Sequence, residues 1–356
     1  MTECTPRTLE FQPLGRRDVT ARFDTPAITS DAGGLLLREV DAKFKFIEQF
    51  ANCFDDHRSP HFTVHSLQEL LAQRIFGIAL GYEDLNDHEQ LRHDPLMAVL
   101  AGKSDPAPQE GFALAGKSTL NRLELTPVGA DQNSRYKKIV ARHRDIEKFF
   151  VDAFLQVHSK PPKRIVLDLD ATDDPLHGHQ LGRFFHGYYK SYCYLPLYIF
   201  CGSHLLCAKL RPADIDASAG SVRQLERIIG QIRARWPKVQ IVIRGDMENR
   251  IKEQPLYLFA DRTSASTMRA NQLRLWLSSV AYVLVNTLRE FGLKGTPLEK
   301  AQCHTIRLKL FKVGAAIRVT VRKVWLSLSA AYPYAETFLR VLENLRALPL
   351  PRPSPG

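Results

Sequence analysis

Apolar residues recur at helical spacing through most of the first 158 positions. In the clearest run, Ser66 precedes Leu67, Leu70, Leu71, Ile75, Ile78 and Ala79 on one face, and Gly81 closes it. A polar stretch at 103–111, with Pro and Gly, predicts a loop. Residues 118–125 then predict a short helix capped at Ser118 and stopped by Pro127, and further helix follows through Phe149, Phe150 and Phe154. At Pro161-Pro162 the character changes, and three strand-like runs follow at 165–169, 194–201 and 204–210, the last two joined as a hairpin by Gly202-Ser203. Residues 221–236 return to helical spacing, with Val222, Leu225, Ile228, Ile229 and Ile232 inward, and 239–243 predict one more buried strand. The order is β-β-β-α-β. After Pro255 comes a long apolar helix, 267–291, carrying Leu273, Trp276, Leu277, Val280, Leu284 and Leu288 and closed by Gly292. Residues 306–328 alternate around Gly314 and predict a hairpin, and the Pro-rich residues 349–356 predict a disordered tail. The chain therefore divides into a mainly helical region, 1–160, and an α/β region, 161–348.

Composition narrows the partners. Lys and Arg outnumber Asp and Glu by 49 to 38, giving a formal charge of +11 and a pI near 9.4. That balance favours an anionic partner, nucleic acid or membrane surface alike. No apolar stretch approaches the roughly 18 residues needed to span a bilayer, and the N-terminus lacks a signal-peptide pattern, so the expected location is the cytoplasm. The six cysteines, Cys4, Cys53, Cys193, Cys201, Cys207 and Cys303, contain no Cys-x2-Cys pair and predict buried reduced thiols.

Candidate chemistry begins in Arg164-Ile-Val-Leu-Asp-Leu-Asp-Ala-Thr172. Asp168 and Asp170, two apart on a strand, project from one face, and Asp173 and Asp174 follow directly. Four acids in seven residues repel one another, so an inward-facing set needs a cation or an arginine. A hard ion, Mg2+ or Mn2+, suits carboxylate oxygens; a solvated loop is the plainer alternative. The next apolar strand delivers Asp246 to the same edge of the sheet, and Glu248 lies just beyond it, with Lys252 one turn later. Paired carboxylates at strand ends could share two metal ions about 4 Å apart across a phosphate.

These residues sit among longer matching stretches: Ile28-Thr-Ser-Asp-Ala-Gly-Gly-Leu35, Leu80-Gly-Tyr-Glu-Asp-Leu-Asn-Asp87, Leu114-Ala-Gly-Lys-Ser-Thr-Leu-Asn-Arg-Leu123, Leu167-Asp-Leu-Asp-Ala-Thr-Asp173, Gly182-Arg-Phe-Phe-His-Gly187, Met247-Glu-Asn-Arg-Ile-Lys252 and Met268-Arg-Ala-Asn271. Together they resemble the DDE transposases of bacterial insertion sequences, specifically the thirteen-eighty insertion-sequence family. The resemblance implies an RNase H-like catalytic domain over 161–348, preceded by a mainly helical DNA-binding region over 1–160. It also implies metal ions held by Asp, Asp and Glu, hydrolysis at the terminal inverted repeats of a transposon, and attack of a 3′-hydroxyl on target DNA. Carried over by motif, the acids are Asp170, Asp246 and Glu248, with Asp168 as a further metal-facing carboxylate. The implied partners are double-stranded DNA and a second subunit, either a copy of this chain or an intact sister transposase.

One departure matters. In the family, the Arg-Gly-Asp strand continues through a long segment before Arg-Gly-x-Met-Glu-Asn, whereas here Arg244-Gly245-Asp246 runs directly into Met247-Glu248-Asn249. An internal deletion joining the two Arg-Gly repeats at 246–247 explains this. It leaves the second and third acids two residues apart, about 6.6 Å along an extended strand. The Tyr of the family's Tyr-x2-Arg-x3-Glu pattern is Ile241 here. An impaired or inactive enzyme is the expectation, because misplacing a catalytic group by about 1 Å can cost on the order of a hundredfold.

Rival readings have weaker support. Gly111-Phe-Ala-Leu-Ala-Gly-Lys-Ser118 fits the P-loop pattern but lacks the preceding buried strand; Lys117 at a helix start could instead hold a DNA phosphate. Asp168-x-Asp170-x-Thr172 resembles the nucleophile motif of haloacid-dehalogenase-type phosphatases, with Asp168 taking the phosphoryl group. A non-catalytic DNA binder that inhibits an intact transposase is a third reading. DNA contact is expected on two basic surfaces: Arg307, Lys309, Lys312, Arg318, Arg322 and Lys323, in a stretch without acids, and Lys137, Lys138, Arg142 and Arg144, assigned to end recognition. Arg244 and Lys252, beside the acids, complete the expected DNA contacts.

Overall fold

Four strands organise the second half of the chain: β1 (Arg164–Ala171), β2 (Leu197–Cys201), β3 (His204–Lys209) and β4 (Gln240–Gly245), in the spatial order β3-β2-β1-β4. The computed structural model describes residues 8–22, 24–103, 113–245, 258–320 and 322–349. β2 runs antiparallel to β1 and β3, whereas β4 is parallel to β1. A parallel neighbour requires a crossover, and helix Ser221–Arg235 supplies it. The β-β-β-α-β order is thus present, with a small three-stranded sheet (Asp174–Pro175, Phe184–His186 and Ser191–Tyr194) inserted between β1 and β2. The run at 194–201 is split: Tyr194 ends a strand of the small sheet, and Pro196, with no N–H to give to a ladder, separates it from β2.

Alternation along the strands assigns each face a partner. Ile165 and Leu167 of β1, with Leu197, Ile199 and Cys201 of β2, pack with Val151 and Phe154 of helix His143–Val157 and with Ile228 and Ile232 of Ser221–Arg235. Tyr198 and Phe200 face the other way, into a cluster holding Leu273, Trp276, Leu277 and Val280 of helix Met268–Thr287. There the Trp276 indole N–H donates to the Ala208 carbonyl at 2.9 Å. Two expectations fail on this sheet. Val222, expected inward, is 66% exposed; at 100° per residue it lies about 120° around the helix from Ile228, at the margin of the buried stripe. β4, expected to be buried, is an edge strand among the described residues, and Ile243 is 52% exposed.

The described residues of 1–160 hold helices together with short strands. Ser66 caps helix Leu67–Leu80 in a reciprocal capping box with Glu69, and Gly81, at φ 104°, ends it in the left-handed region. Strand pairing also ties this region down, with Phe54–Asp56 against Ile139–Ala141 and Ile28–Thr29 against Ala315–Val319. One continuous apolar cluster runs from Leu36 to Leu345. Helix Leu67–Leu80 lies directly against Met268–Thr287, so apolar packing does not divide at residue 160.

Near the C-terminus the expected alternation around Gly314 gives way to helix. Residues Cys303–Ile306 are α-helical and Arg307–Phe311 form a π-helical turn, because Ile306 and Leu310 share a buried helical face. The hairpin is shorter, pairing Ala315–Val319 with Val324–Leu328. The long helix likewise leaves α geometry at Thr287 and ends in a π-helical turn, Leu288–Gly292. Cys53, Cys193, Cys201, Cys207 and Cys303 are buried and form no disulfide among the described residues. Burial pushes the thiols of Cys53 and Cys207 up to about 12. No described helix is long and apolar enough to cross a membrane. The expected loop at 104–111, the tail at 350–356, Cys4, Asp246, Glu248, Lys252 and the join at 246–247 lie outside the described residues.

Candidate active site

The even-numbered residues of β1 place Asp168 and Asp170 on the face opposite Ile165 and Leu167. They sit across from Phe200 and Tyr198 of β2. The crowding of acids is relieved group by group. Asp168 is 4% exposed, and its Oδ1 accepts a charge-assisted hydrogen bond from Arg244 Nε at 2.6 Å. The parallel register of β4 and β1 sets Arg244 opposite Asp168. Asp174 takes a proton instead. It is buried, Thr263 Oγ1 donates to its Oδ1 at 3.1 Å, and its Oδ2 has no partner among the described residues. Burial, reinforced by Asp261 and Asp173, pushes its carboxyl up to about 8. Asp170 and Asp173 remain half-buried. After burial itself, Asp173 and then Asp170 help raise the Tyr189 phenol above its ordinary value, which places all three together at the end of β1.

Asp168, proposed as a metal-facing carboxylate, is paired with Arg244. Arg244, expected to touch DNA, makes this pair while its side chain stays 58% exposed. As a phosphatase nucleophile Asp168 would be buried and already hydrogen-bonded. Of the three motif acids, only Asp170 falls among the described residues. Among these residues no three His, Cys, Asp or Glu side chains are placed to hold a metal ion. Asp170 supplies one carboxylate suited to Mg2+ or Mn2+; the two that would complete a set, Asp246 and Glu248, lie outside.

The basic candidates separate by burial. Arg307 is 7% exposed, and its Nε donates to the Ala79 carbonyl at 3.0 Å, so it braces the core. Lys312 pairs with Asp31 at 2.5 Å, and Arg142 is ion-paired with Asp55 and Asp145. Lys309 lies over the Tyr334 ring, 5.3 Å from its centroid. Arg318, Arg322, Lys323, Lys137 and Arg144 are exposed, and Lys138 is half-buried with its ammonium on the Gln132 carbonyl at 2.5 Å. On the hairpin, Arg318 sits opposite Trp325, and Lys323 lies over the Trp325 ring at 5.2 Å, making one basic and aromatic face.

Lys117 opens helix Lys117–Glu124 one residue before the expected cap. Its backbone N–H donates to Glu89 Oε1 at 2.8 Å, so a carboxylate holds the position proposed for a phosphate. Its side chain nevertheless lines a polar cavity of about 540 Å³ together with Asn121, Arg122, Arg262, Arg274 and Ser118. Sequence reasoning missed this cavity because its walls come from segments about 150 residues apart. The one available signal was that two of the matching stretches, 80–87 and 114–123, contribute to it.

Other matching stretches turn out to be packing nodes. A Cβ on Gly33 would lie 1.7 Å from the Leu310 carbonyl oxygen. Asp31 is buried and accepts from Tyr82 Oη at 2.7 Å as well as from Lys312. Asn271 is fully buried and bonds both the N–H and the carbonyl of Ala265.

Taken together, these features describe a mixed α/β chain with an acid-bearing central strand and motif residues locked into its core. Its sequence matches the family model of the transposase DDE domain, group 1, over residues 11–247 and 243–350. The chain belongs to that family. No curated protein and no solved structure matches it.

Proposed function

We propose that this protein derives from a DNA-strand-transferring transposase of the thirteen-eighty insertion-sequence family, that it binds the ends of its element, and that its catalysis is impaired. The sheet supports an RNase H-like reading of 161–348, since it begins with three antiparallel strands and adds β4 parallel to β1. Residues 1–160 are assigned to recognition of the terminal inverted repeats, through Lys137, Lys138 and Lys117. Arg318 and Arg322 contact DNA backbone. Asp170, Asp246 and Glu248 are the residues that would hold Mg2+. When bound, the ion would stabilise charge on the phosphate under attack.

One observation carries the claim of impairment. The family match breaks into two segments that share residues 243–247, as expected where a lost segment has fused two similar Arg-Gly sequences. The exposure of Ile243 on β4, an edge strand among the described residues, accords with it. The same observation favours a second reading, a non-catalytic binder that occupies ends or pairs with intact transposase.

Gel-shift titration of the purified protein tests both. Terminal-repeat DNA is expected to bind in preference to random duplex, with affinity falling as salt rises. Nicking in Mg2+ is expected to be weak or absent. Equal affinity for random DNA removes end recognition, and robust strand transfer abolished by Asp170→Ala removes impairment.

A further inference from the structure

The strand that carries Asp170 leads into the small sheet between β1 and β2, and that sheet shows solvent an unusual surface. Phe185, Tyr188 and Tyr192 are 57%, 83% and 49% exposed within eight residues. Single exposed apolar side chains are ordinary, whereas a cluster of rings marks a contact surface. Register explains the clustering. Phe185 sits opposite Tyr192, with ring centroids 5.6 Å apart, and Arg183, just before that strand, lies 4.8 Å from the Tyr192 centroid. Tyr188 and Lys190 lie in the turn beyond them. The platform is anchored to the acid-bearing strand. Tyr189 packs with Cys193, Leu195 and Ala171, and its hydroxyl donates to the carbonyl of Ala171, the residue after Asp170, at 3.5 Å.

The chemistry of the surface selects its occupant. Residues 177–192 contain Arg183, Lys190 and three histidines and no Asp or Glu. Rings interleaved with cations suit a nucleobase face and its phosphate, because stacking needs a π surface and the cations need an anion. In an intact duplex, base faces are hidden in the stack, so this surface can engage only unpaired nucleotides. We infer that the 184–192 hairpin is a stacking platform for unpaired nucleotides of a DNA end held beside Asp170. This inference rests on the DNA-end-binding reading above.

The test uses the full chain in EDTA, so that cleavage plays no part. Anisotropy titrations compare a blunt terminal-repeat duplex with the same duplex bearing three unpaired nucleotides, one of them 2-aminopurine. The overhang is expected to bind tighter and its 2-aminopurine to be quenched by the rings. Tyr188→Ala and Phe185→Ala are each expected to lose about 5- to 150-fold in overhang affinity, the worth of one stacked base. Blunt-duplex affinity should stay unchanged. Equal binding of blunt and overhang DNA overturns the platform while leaving duplex recognition intact, and failure to bind any DNA removes the underlying reading as well. Variants that weaken both DNAs equally overturn it in favour of a general phosphate contact. If the substitutions alter only sedimentation of the protein, the face is a subunit interface and the inference is wrong.

Discussion

Around the end of β1, neighbouring carboxylates meet different fates because each finds a different way to avoid an uncompensated buried charge. Asp168 gains an arginine from β4, and Asp174, shielded from solvent with only Thr263 as donor among the described residues, gains a proton. The second choice has a pH signature. The folded-state pKa of Asp174, about 8, exceeds that of an unfolded aspartate, so the unfolded chain releases this proton first. The contribution of Asp174 to stability is therefore fully present below about pH 4, falls as pH rises toward 8, and levels beyond. Asp174→Asn keeps the shape but cannot ionise. Its advantage over the parent should grow between pH 4 and 8, by on the order of 5 kcal/mol if the full shift is realised. Thermal unfolding of both proteins across that range checks it, and a constant Tm difference would show that Asp174 is charged in the fold.

At the scale of elements, caps and close approaches carry more weight than apolar periodicity. Helix Leu67–Leu80 was legible to the residue, since Ser66 and Gly81 are local signals that act through local hydrogen bonds. Ser66→Ala should cost about 1 kcal/mol in urea unfolding. Gly33→Ala should be far worse and prevent accumulation of folded protein, because its Cβ meets backbone at Leu310, which cannot rotate away. If soluble expression of Gly33→Ala matches that of Ser66→Ala, the contact between the 28–35 stretch and the 307–311 turn is wrongly placed. Helix Lys117–Glu124 shows the opposite case. Its first N–H finds Glu89, 28 residues away, rather than a neighbouring Ser, and no local pattern announces such a cap. The 306–311 turn was misread for a related reason: apolar residues that fit both alternation and helical spacing need tertiary burial to decide between them.

For the whole molecule, a buried charge cluster binds the two sequence regions into one body. The side chain of Glu124 is fully buried between Arg74, at 2.8 Å, and Arg274, at 2.7 Å, so an N-terminal helix is tied to the long C-terminal one. Removing one partner of such a cluster leaves the others buried and uncompensated. Glu124→Ala is expected to cost about 3–5 kcal/mol, with both regions unfolding in one urea transition. Two separate transitions, only one of them shifted, would show that residues 1–160 fold independently.

Sequence alone determined the order of strands and crossover helix, the long apolar helix, the reduced buried cysteines and the candidate acid Asp170. Each rests on short-range periodicity, composition or motif, which act within a few residues. Tertiary structure decided which charges are spoken for. Asp168, Arg307, Lys312 and Lys117 read as site residues in the linear chain, yet each finds a partner from 28 to 281 residues away. It also decided that β4 is an edge among the described residues, because burial of a strand depends on what lies beside it and not on its own apolar residues. The aromatic platform beside Asp170 belongs to the same class. Its residues are plain in the sequence, but only the register of the small sheet brings the rings together at the surface.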